Sequence, residues 1–138
     1  MADTVEFELV SPTRLLVSES VEMVVVPGAE GDFGALLGHA PFISLVRPGV
    51  IDIHGDGEVT RRIFVAGGFA EVTQERCTVL AEEAVPVEDI DPTQAQDRLT
   101  AARSAVERPD DDLRAQVQAR RELQVAEALV AAVPGAAG

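Results

Sequence analysis

Hydrophobic and polar residues alternate along much of the first two-thirds of the chain. In VEFELV, residues 5–10, the apolar residues share one face and acids take most of the other, which is the two-residue period of a half-buried strand. The run MVVVP at 23–27 predicts a short strand that is buried on both faces. Two alternating runs flank the Gly-Asp-Gly sequence at 55–57 and predict a hairpin.

Further strand regions are predicted at residues 61–72 and 77–85. Glycine and proline recur between these segments at short intervals, and no helical period is sustained over a useful length. Many short strands with regular turn residues are typical of a β-sandwich or a barrel. We therefore predict an all-β unit of about ten short strands over residues 1–88.

The period changes at residue 89, where the first of two helices is predicted. Asp91 stands at the N-cap, Pro92 suits the first helical position, and Gln94 lies where a capping box places a glutamine. The helix is expected to run to about residue 106. Its predicted inner residues are Ala95, Leu99, Ala102 and Val106.

A second helix is predicted after the break at residues 107–110, with Asp110 or Asp111 as its N-cap and its end near Val133, before Pro134 and Gly135. Residues 89–138 would then form an antiparallel two-helix hairpin, so the fold class is mainly β plus α. The alanine-rich seam buries little area, and the hairpin could either detach or stay packed on the β unit. The predicted inner residues of this helix are Ala119, Leu123, Ala126, Val130 and Val133.

The chain is strongly acidic, with a formal net charge of −13 and no lysine. This charge argues against nucleic acid and against anionic lipid as partners, and it leaves either a basic protein partner or solubility alone as its role. The excess is concentrated in residues 1–88, which carry 15 acids and 5 arginines. No apolar run approaches the ~20 residues of a membrane span, so direct insertion into lipid is not expected.

The residues that carry enzyme chemistry elsewhere do not form a site in this sequence. Asp32-Phe33-Gly34 matches a kinase tripeptide, but the chain lacks the lysine and the glycine-rich loop that a kinase needs. His39 and His54 have no cysteine or paired acids at metal-ligand spacing, and Cys77 is predicted to be a small core residue. We predict a protein that is not an enzyme and has no metal or cofactor.

The segment EGDFGALLGHAP at 30–41 is better suited to docking. Its glycines allow turn conformations that other residues avoid. Such turns would present Glu30 and Asp32 outward, with Phe33 beside or beneath them. An acidic tip of this kind suits an arginine or a lysine on a partner protein.

Several segments, in order along the chain, resemble the epsilon subunits of bacterial F-type ATP synthases, equivalent to the delta subunit of mitochondria. The resemblance covers the whole chain and is strongest over residues 5–92. The order and spacing of the segments carry the resemblance, and no single motif does. The matching segments are LVSP at 9–12, VPGAEGDFG at 26–34, GHAP at 38–41, PGVI at 48–51, GGFAEV at 67–72, LAE at 80–82 and Ile-Asp at 90–91.

The resemblance implies an N-terminal β-sandwich followed by a helical hairpin, in a non-catalytic subunit of the rotor, or central stalk. Such a subunit binds the gamma subunit and the ring of c subunits and helps to couple proton flow to ATP synthesis. It is peripheral, on the cytoplasmic face of the bacterial inner (plasma or intracytoplasmic) membrane. By resemblance, Glu30, Asp32 and Phe33 would meet the c ring. The residues expected to face gamma are Ser11, Gly38, His39, Ala40 and Pro41.

In many similar subunits the hairpin inhibits ATP hydrolysis by meeting the alpha/beta hexamer, and in some it binds ATP. The associated motif has Ile-Asp, two residues, then Arg-Ala; here Ile90, Asp91 and Ala95 match, but Gln94 replaces the arginine and lacks its charge. Arg114 and Arg121 could compensate in part. The alternative function is thus an ATP-responsive regulator or an inhibitor of ATP hydrolysis that acts through a mobile C-terminal hairpin. A free-standing metabolite-binding sandwich is a third hypothesis that no motif supports.

Overall fold

A computed structural model of the chain describes residues 3–108 and 112–135. The chain divides into two compact units, Met1–Pro86 and Val87–Gly138. The first unit is all β in its described part, and the second opens with a short 3₁₀ helix, Val87–Asp89, before its two α-helices. The predicted domain boundary after Glu88 falls inside that short helix.

The first unit contains ten strands, all of them short, joined mostly by turns of two or three residues. Their short length matches the close spacing of the turn residues in the sequence. The strands are β1 Val5–Ser11, β2 Arg14–Val21, β3 Met23–Gly28, β4 Gly31–Ala35, β5 Phe42–Val46, β6 Gly49–Gly55, β7 Glu58–Val65, β8 Gly68–Val72, β9 Arg76–Ala81 and β10 Ala84–Pro86.

The hydrogen-bonding order places these strands in two layers. One layer runs β10-β7-β6-β3-β4, and the other runs β5-β8-β9-β1-β2. The layers meet at one corner, where β3 and β5 pair only through Gly28 and Val46. All pairs are antiparallel except β1 with β9. The predicted β-sandwich of about ten strands is confirmed.

The predicted hairpin at residues 55–57 is confirmed, whereas two predicted strand regions were too long. Asp56 and Gly57 join β6 to β7 with φ angles of 54° and 80°, which both central residues of a type I′ turn require. The region 61–72 holds parts of two strands that turn at Gly67, and the region 77–85 likewise divides between β9 and β10. The reversals fall at Ala66-Gly67 and at Glu82-Glu83, and the two predicted regions ran across these interruptions.

The sandwich core is built from alternate residues of nearly every strand. Val5, Phe7 and Leu9 of β1 are fully buried, as the period predicted. The run at 23–27 differs from its prediction, because Val24 and Val26 are buried whereas Met23 and Val25 on the other face are only half-buried. The core also contains the side chains of Ile51, Ile53, Ile63, Val65, Val72, Cys77 and Val79.

Two α-helices form the second unit: α1 Pro92–Glu107 and α2 Leu113–Ala132. The predicted N-cap of α1 is confirmed, because a side-chain oxygen of Asp91 accepts hydrogen bonds from the backbone N–H groups of Thr93 and Gln94. The N-cap of α2 is Asp112 instead of the predicted Asp110 or Asp111, and those two residues lie outside the described ones. Three consecutive aspartates offered equivalent caps to sequence reasoning.

The helices pack through a narrow seam. Leu99, Ala102 and Ala126 are its buried residues, with Leu123 and Val130 partly buried beside them. The prediction that Val106 lies inside was wrong, since it is 36% exposed. On α2 the predicted Ala119 and Val133 are also only half-buried. An ion pair between Arg98 of α1 and Glu122 of α2 joins the two helices beside the seam. Nε of the arginine lies 2.6 Å from Oε1 of the glutamate.

Two buried residues of α2 were not predicted. Val125 and Leu129 are 5% and 8% exposed, respectively. Each lies one residue before a predicted seam position, so together they widen the apolar stripe of the helix. Apolar residues that are three and four positions apart, with further apolar residues directly beside them, indicate a broad apolar face of a helix. The sequence LQVAEALV at 123–130 has this pattern.

Candidate docking surfaces

The acidic segment at residues 30–32 forms the turn between β3 and β4. Gly28 pairs with Gly31, so Ala29 and Glu30 form the tip of a tight hairpin, and Asp32 pairs with Pro27 on the first arm. Both acids are exposed. The turn therefore presents Glu30 and Asp32 at the surface, as the sequence suggested.

Gly28 cannot be replaced at this turn without moving the backbone. A Cβ atom at this position would lie 2.6 Å from the carbonyl oxygen of Gly31 and 3.1 Å from Cδ1 of Phe33. Phe33 is half-buried and packs against the sandwich core, with its ring edge-to-face against Phe42 at a centroid distance of 4.8 Å. Phe33 thus lies beneath the acidic tip and supports it from the inside.

Arg47, which follows β5, holds the same turn. Its guanidinium donates from Nη2 to Oδ1 of Asp32 and from Nη1 to the carbonyl oxygen of Gly28, both at 2.5 Å. Sequence reasoning did not single out this arginine. Its partner lies 15 residues away, and only the pairing of the two sandwich layers at this corner brings them together.

The segment GHAP lies in the loop between β4 and β5. The backbone N–H of Gly38 donates to the carbonyl of Gln74 at 2.6 Å, which fixes the loop to the β8–β9 turn. The His39 ring donates from Nδ1 to the Ala40 carbonyl at 2.7 Å and lies 5.0 Å from the ring of Phe42. Ala40 and Pro41 are exposed, as are Leu36 and Leu37 just before them.

Ser11, the other residue expected to face gamma, lies far from this loop. It ends β1 just after Val10, which pairs with Leu80 at the far end of β9. The loop joins the second layer at Phe42, which pairs with Val72. The two ends are about 15 Å apart along the strand direction at ~3.4 Å per residue. Ser11 and residues 38–41 are not brought together in one cluster.

An apolar row crosses the outer face of the second layer, at the level of Val10 and so close to Ser11. Consecutive pairing places one large apolar residue of each strand in line across all five strands, on the face that points away from the core. Leu45 and its strand neighbour Ile43 are each 69% exposed, and Leu15 is 55% exposed. The row consists of Leu45, Phe69, Leu80, Val10 and Leu15.

The row beside it on the same face is polar except at its start. It begins with Ile43 and continues through Glu71, Thr78, Glu8 and Ser18. Sequence reasoning missed the apolar row, although each strand carries a signal. Segments such as ISLV and TVLA contain two adjacent apolar residues, which point to opposite faces of the strand. A strand with one face in water does not need an apolar residue on that face.

The four residues considered for nucleotide binding do not form a pocket. Ile90 is buried, and the Asp91 carboxylate is engaged as the cap of α1. Arg114 and Arg121 are exposed on α2, seven residues or about 10 Å apart. The two helices are antiparallel, and Arg98 contacts Glu122. Asp91, before the start of α1, therefore lies near the end of α2, whereas Arg114 lies at the start of α2, at the opposite end of the hairpin.

Other groups that could bind a metal ion or act as a nucleophile are few in the described part of the chain. Within residues 3–108 and 112–135, no group of three or more histidine, cysteine or acidic side chains could hold a metal ion. Cys77 is fully buried in the sandwich core, as predicted, and this burial raises the pKa of its thiol to about 12. A thiol with such a pKa stays protonated and unreactive at neutral pH.

Comparison with known proteins identifies the family. The family model described as "ATP synthase, Delta/Epsilon chain, beta-sandwich domain" matches residues 4–87. The chain belongs to the family of ATP synthase epsilon chains. It is 59% identical over 133 residues to the ATP synthase epsilon chain of Paramagnetospirillum magneticum, covering 96% of this chain and 99% of that one. It is 54% identical to the corresponding chain of Rhodospirillum rubrum, over 98% of this chain and 100% of that one.

Solved structures agree with this assignment. A chain in the Euglena gracilis mitochondrial ATP synthase, in a structure that contains OSCP, F1 and the c-ring, superposes with a TM-score of 0.80 and 28% identity. The match covers 96% of this chain and 82% of that one. A chain of the Tetrahymena thermophila enzyme, from its central stalk and c-ring, gives a TM-score of 0.70 at 13% identity, over 94% and 96% of the two chains, and supports the fold alone.

Membership of the epsilon-chain family makes this chain a non-catalytic subunit of ATP synthase, a membrane-associated complex. Among its described residues, neither α-helix has the length and hydrophobicity to cross a bilayer.

Proposed function

We propose that the chain is a central-stalk, or rotor, subunit of ATP synthase that binds the gamma subunit and the c ring and couples proton flow to ATP synthesis. It would be held at the cytoplasmic face of a bacterial inner membrane by these protein contacts. The supporting observation is the exposed apolar row on the second layer of the sandwich. Contiguous exposed apolar surface of this kind marks an interaction site.

The outer face offers gamma a surface with defined chemistry. Leu45, Phe69 and Leu80 give it an apolar centre, and Glu71 and Glu8 give it an acidic border. The expected gamma-facing residues lie at its edges, with Ser11 near one end of the strands and the loop 38–41 near the other. A partner that covered the outer face from one end of the strands to the other would contact both.

The β3–β4 turn is the proposed contact with the c ring. It places Glu30 and Asp32 at a rigid tip that is backed by Phe33. Basic residues on the polar loops of the ring would complement the charge. An exposed ion pair contributes only ~0–1 kcal/mol, so the rigid support of the tip is as important for transmitting torque as the charge itself.

Binding to gamma can be tested with the full-length chain. Leu45→Glu places a charge in the apolar row, and we expect it to weaken co-purification with gamma by more than tenfold, because a charge that loses its water without gaining a partner costs several kcal/mol. Thr60→Glu is the matched control, since it adds the same charge at an exposed position of the other layer. Equal binding of both variants would refute this face as the gamma interface.

A second candidate function is inhibition of ATP hydrolysis through the hairpin. The start of α2 exposes Leu113 at 72% and Val117 at 48%, beside Arg114 and Arg121. An apolar strip flanked by arginines suits an acidic, partly apolar surface, and the alpha/beta hexamer would supply it. Nucleotide control receives less support, because Gln94 lacks the charge of the family's arginine and Asp91 is engaged in capping.

Truncation separates the two functions. Hydrolysis by the reconstituted complex should be measured with the full chain and with a chain that ends at Glu88. Faster hydrolysis with the shorter chain would show that the hairpin inhibits, and unchanged hydrolysis would assign coupling to the sandwich alone. Failure of both forms to join the complex would overturn the rotor assignment.

A further inference from the structure

We propose that Arg47 is a positioning residue for the β3–β4 turn, that Asp32 is its internal partner, and that Glu30 is the acid that meets a basic partner. This inference rests on the proposed docking of the turn to the c ring. It divides the acidic pair into two roles: one carboxylate fixes the turn, and the other is free for the partner.

The Arg47 side chain bridges the two arms of the β3–β4 hairpin. Asp32 lies on β4 and Gly28 ends β3, so the two groups that accept from the guanidinium lie on opposite arms of the hairpin. The backbone of Arg47 is itself anchored, because its N–H donates to the Pro27 carbonyl at 2.9 Å. The arginine therefore connects both arms to the corner where the two layers meet.

A second backbone contact fixes the tip to the same corner. The N–H of Ala29 donates to the Leu45 carbonyl at 2.8 Å. Residues 28 and 29 thus contact β5 or the residue that follows it, while Phe33 fills the space beneath the turn. Glu30 is the next residue, and its position is set by neighbours that are all held in place.

The two acids differ in what surrounds them. The negative charge of Asp32 is offset by a guanidinium at 2.5 Å, and a partner that used this carboxylate would compete with an intramolecular contact. Among the described residues, no ion pair or hydrogen bond is found for the Glu30 side chain, which is exposed at the tip. Glu30 is therefore the carboxylate that can be paired without breaking a bond.

The role requires an arginine rather than any cation. The planar guanidinium donates in two fixed directions, and here one donor reaches a carboxylate and the other reaches a backbone carbonyl. A lysine ammonium is a compact charge on a flexible stem and does not reproduce this fork. Arg47→Lys keeps the charge and removes the geometry, so it separates the two contributions.

The first measurement is amide hydrogen exchange on the full-length chain. We expect Arg47→Gln and Asp32→Asn each to speed exchange of the Ala29 and Arg47 amides by about fivefold, the scale of a surface ion pair. The double variant should add little to either single one, as residues that act through one contact do. Arg62→Gln is the matched control, because it removes an arginine that pairs with Asp52 at 3.4 Å on neighbouring strands of the same unit. Unchanged exchange in the Arg47 and Asp32 variants would overturn the positioning role.

The second measurement is docking of the chain, in complex with gamma, to membranes that contain the c ring and have been stripped of the other rotor subunits. We expect Glu30→Gln to weaken docking by about three- to tenfold and to reduce its salt dependence. Arg47→Lys and Arg47→Gln should weaken docking by about two- to fivefold, but leave its salt dependence unchanged.

The two measurements fail separately. If the amides respond as expected but Glu30→Gln docks normally, the c-ring role of this turn is refuted and the internal contact stands. If Asp32→Asn weakens docking and lowers its salt dependence while Ala29 exchange is unchanged, Asp32 is a direct partner contact and the division of roles is wrong.

Discussion

The sandwich and the hairpin bury very different kinds of side chain. The sandwich core contains Phe7, Leu9, Ile51 and Ile53, all at most 1% exposed, and a large set of valines. The buried seam of the hairpin consists of Leu99 and the two alanines Ala102 and Ala126. Burial of apolar area contributes ~25 cal/mol per Å², so each contact in the seam stabilises far less than one in the sandwich.

This difference shows how one small chain combines a rigid part with a less stable one. The sandwich carries the proposed docking surfaces on strands whose inner faces are close-packed, which suits the proposed role in transmitting torque. Among the described residues, the seam between the two helices of the hairpin has smaller buried side chains, with the Arg98–Glu122 ion pair beside them. Regions with few buried apolar contacts open at lower free energy than a packed core, and the four predictions below test this contrast.

The largest effect is expected in the sandwich core. Phe7→Ala should lower the free energy of unfolding of the chain by about 3–5 kcal/mol, the usual cost of removing a buried aromatic ring. Chemical denaturation followed by far-UV circular dichroism would measure it. Phe69→Ala is the control, because Phe69 lies on the outer face of the same layer and is 43% exposed. Equal losses for the two variants would contradict the assignment of Phe7 to the core.

A smaller and more local effect is expected in the hairpin. Leu99→Ala removes the only large buried side chain of the described seam, and we expect a loss of about 2–3 kcal/mol, at the low end for such a change. Hydrogen exchange should become faster in α1 and α2 and stay unchanged in β1 to β10. Faster exchange in the strands as well would show that the two units unfold as one, against the contrast drawn above.

The sealed core also predicts a pH dependence. The pKa of Cys77 is raised by burial from 9.0 to about 12, so the thiol binds its proton more tightly in the folded chain than in the unfolded one. Stability should be complete below pH 9 and fall by about 1.4 kcal/mol per pH unit as the pH rises toward 12. The chain has no lysine and no tyrosine, which leaves Cys77 as the side chain that titrates in this window.

Thermal unfolding between pH 8 and 11 would measure this slope. Cys77→Ala is the control, since removal of the thiol should abolish the alkaline decline, whatever the variant's stability is at pH 8. A parallel decline in the variant would assign the effect to other groups and contradict a sealed environment for the thiol.

The smallest effect is expected at the start of α1. Asp91→Ala removes the acceptor of two backbone N–H groups, and should destabilise the hairpin by about 1 kcal/mol. The loss of helical signal on mild heating would measure it. Asp91→Asn should restore most of the stability, because asparagine also caps; no rescue would show that the charge of Asp91 is more important than its hydrogen bonds.

Local signals predicted the elements well. The alternation of Val5, Phe7 and Leu9 identified a strand and its buried face, and the sequence at 55–57 identified a hairpin, because these features depend on neighbouring residues only. The cap at Asp91 was predictable for the same reason. The cap at Asp112 was not, since three adjacent aspartates are equally suited to one capping position.

The candidate site was predicted only in part. The exposed acids of the β3–β4 turn followed from the glycines around them. The contact of Arg47 with Asp32 and the apolar row from Leu45 to Leu15 did not, because each depends on strands that are distant in sequence. Val106 was placed inside by its spacing, yet it is exposed, because the residues of α2 opposite it include the small Ala115 and Ala119, which leave an open cleft between the helices.

The amino-acid sequence by itself determined a β-sandwich followed by two helices, a strongly acidic surface and the absence of a catalytic motif, because period, turn residues and charge are local or summed properties. Only the tertiary structure decided which residues share a surface. Strand pairing places Val10 beside Leu80, and the corner between the two layers brings the Arg47 side chain to Asp32 at the β3–β4 turn. Such neighbours are set by the closure of the sheet around its core, which depends on the whole unit and cannot be worked out from one strand alone.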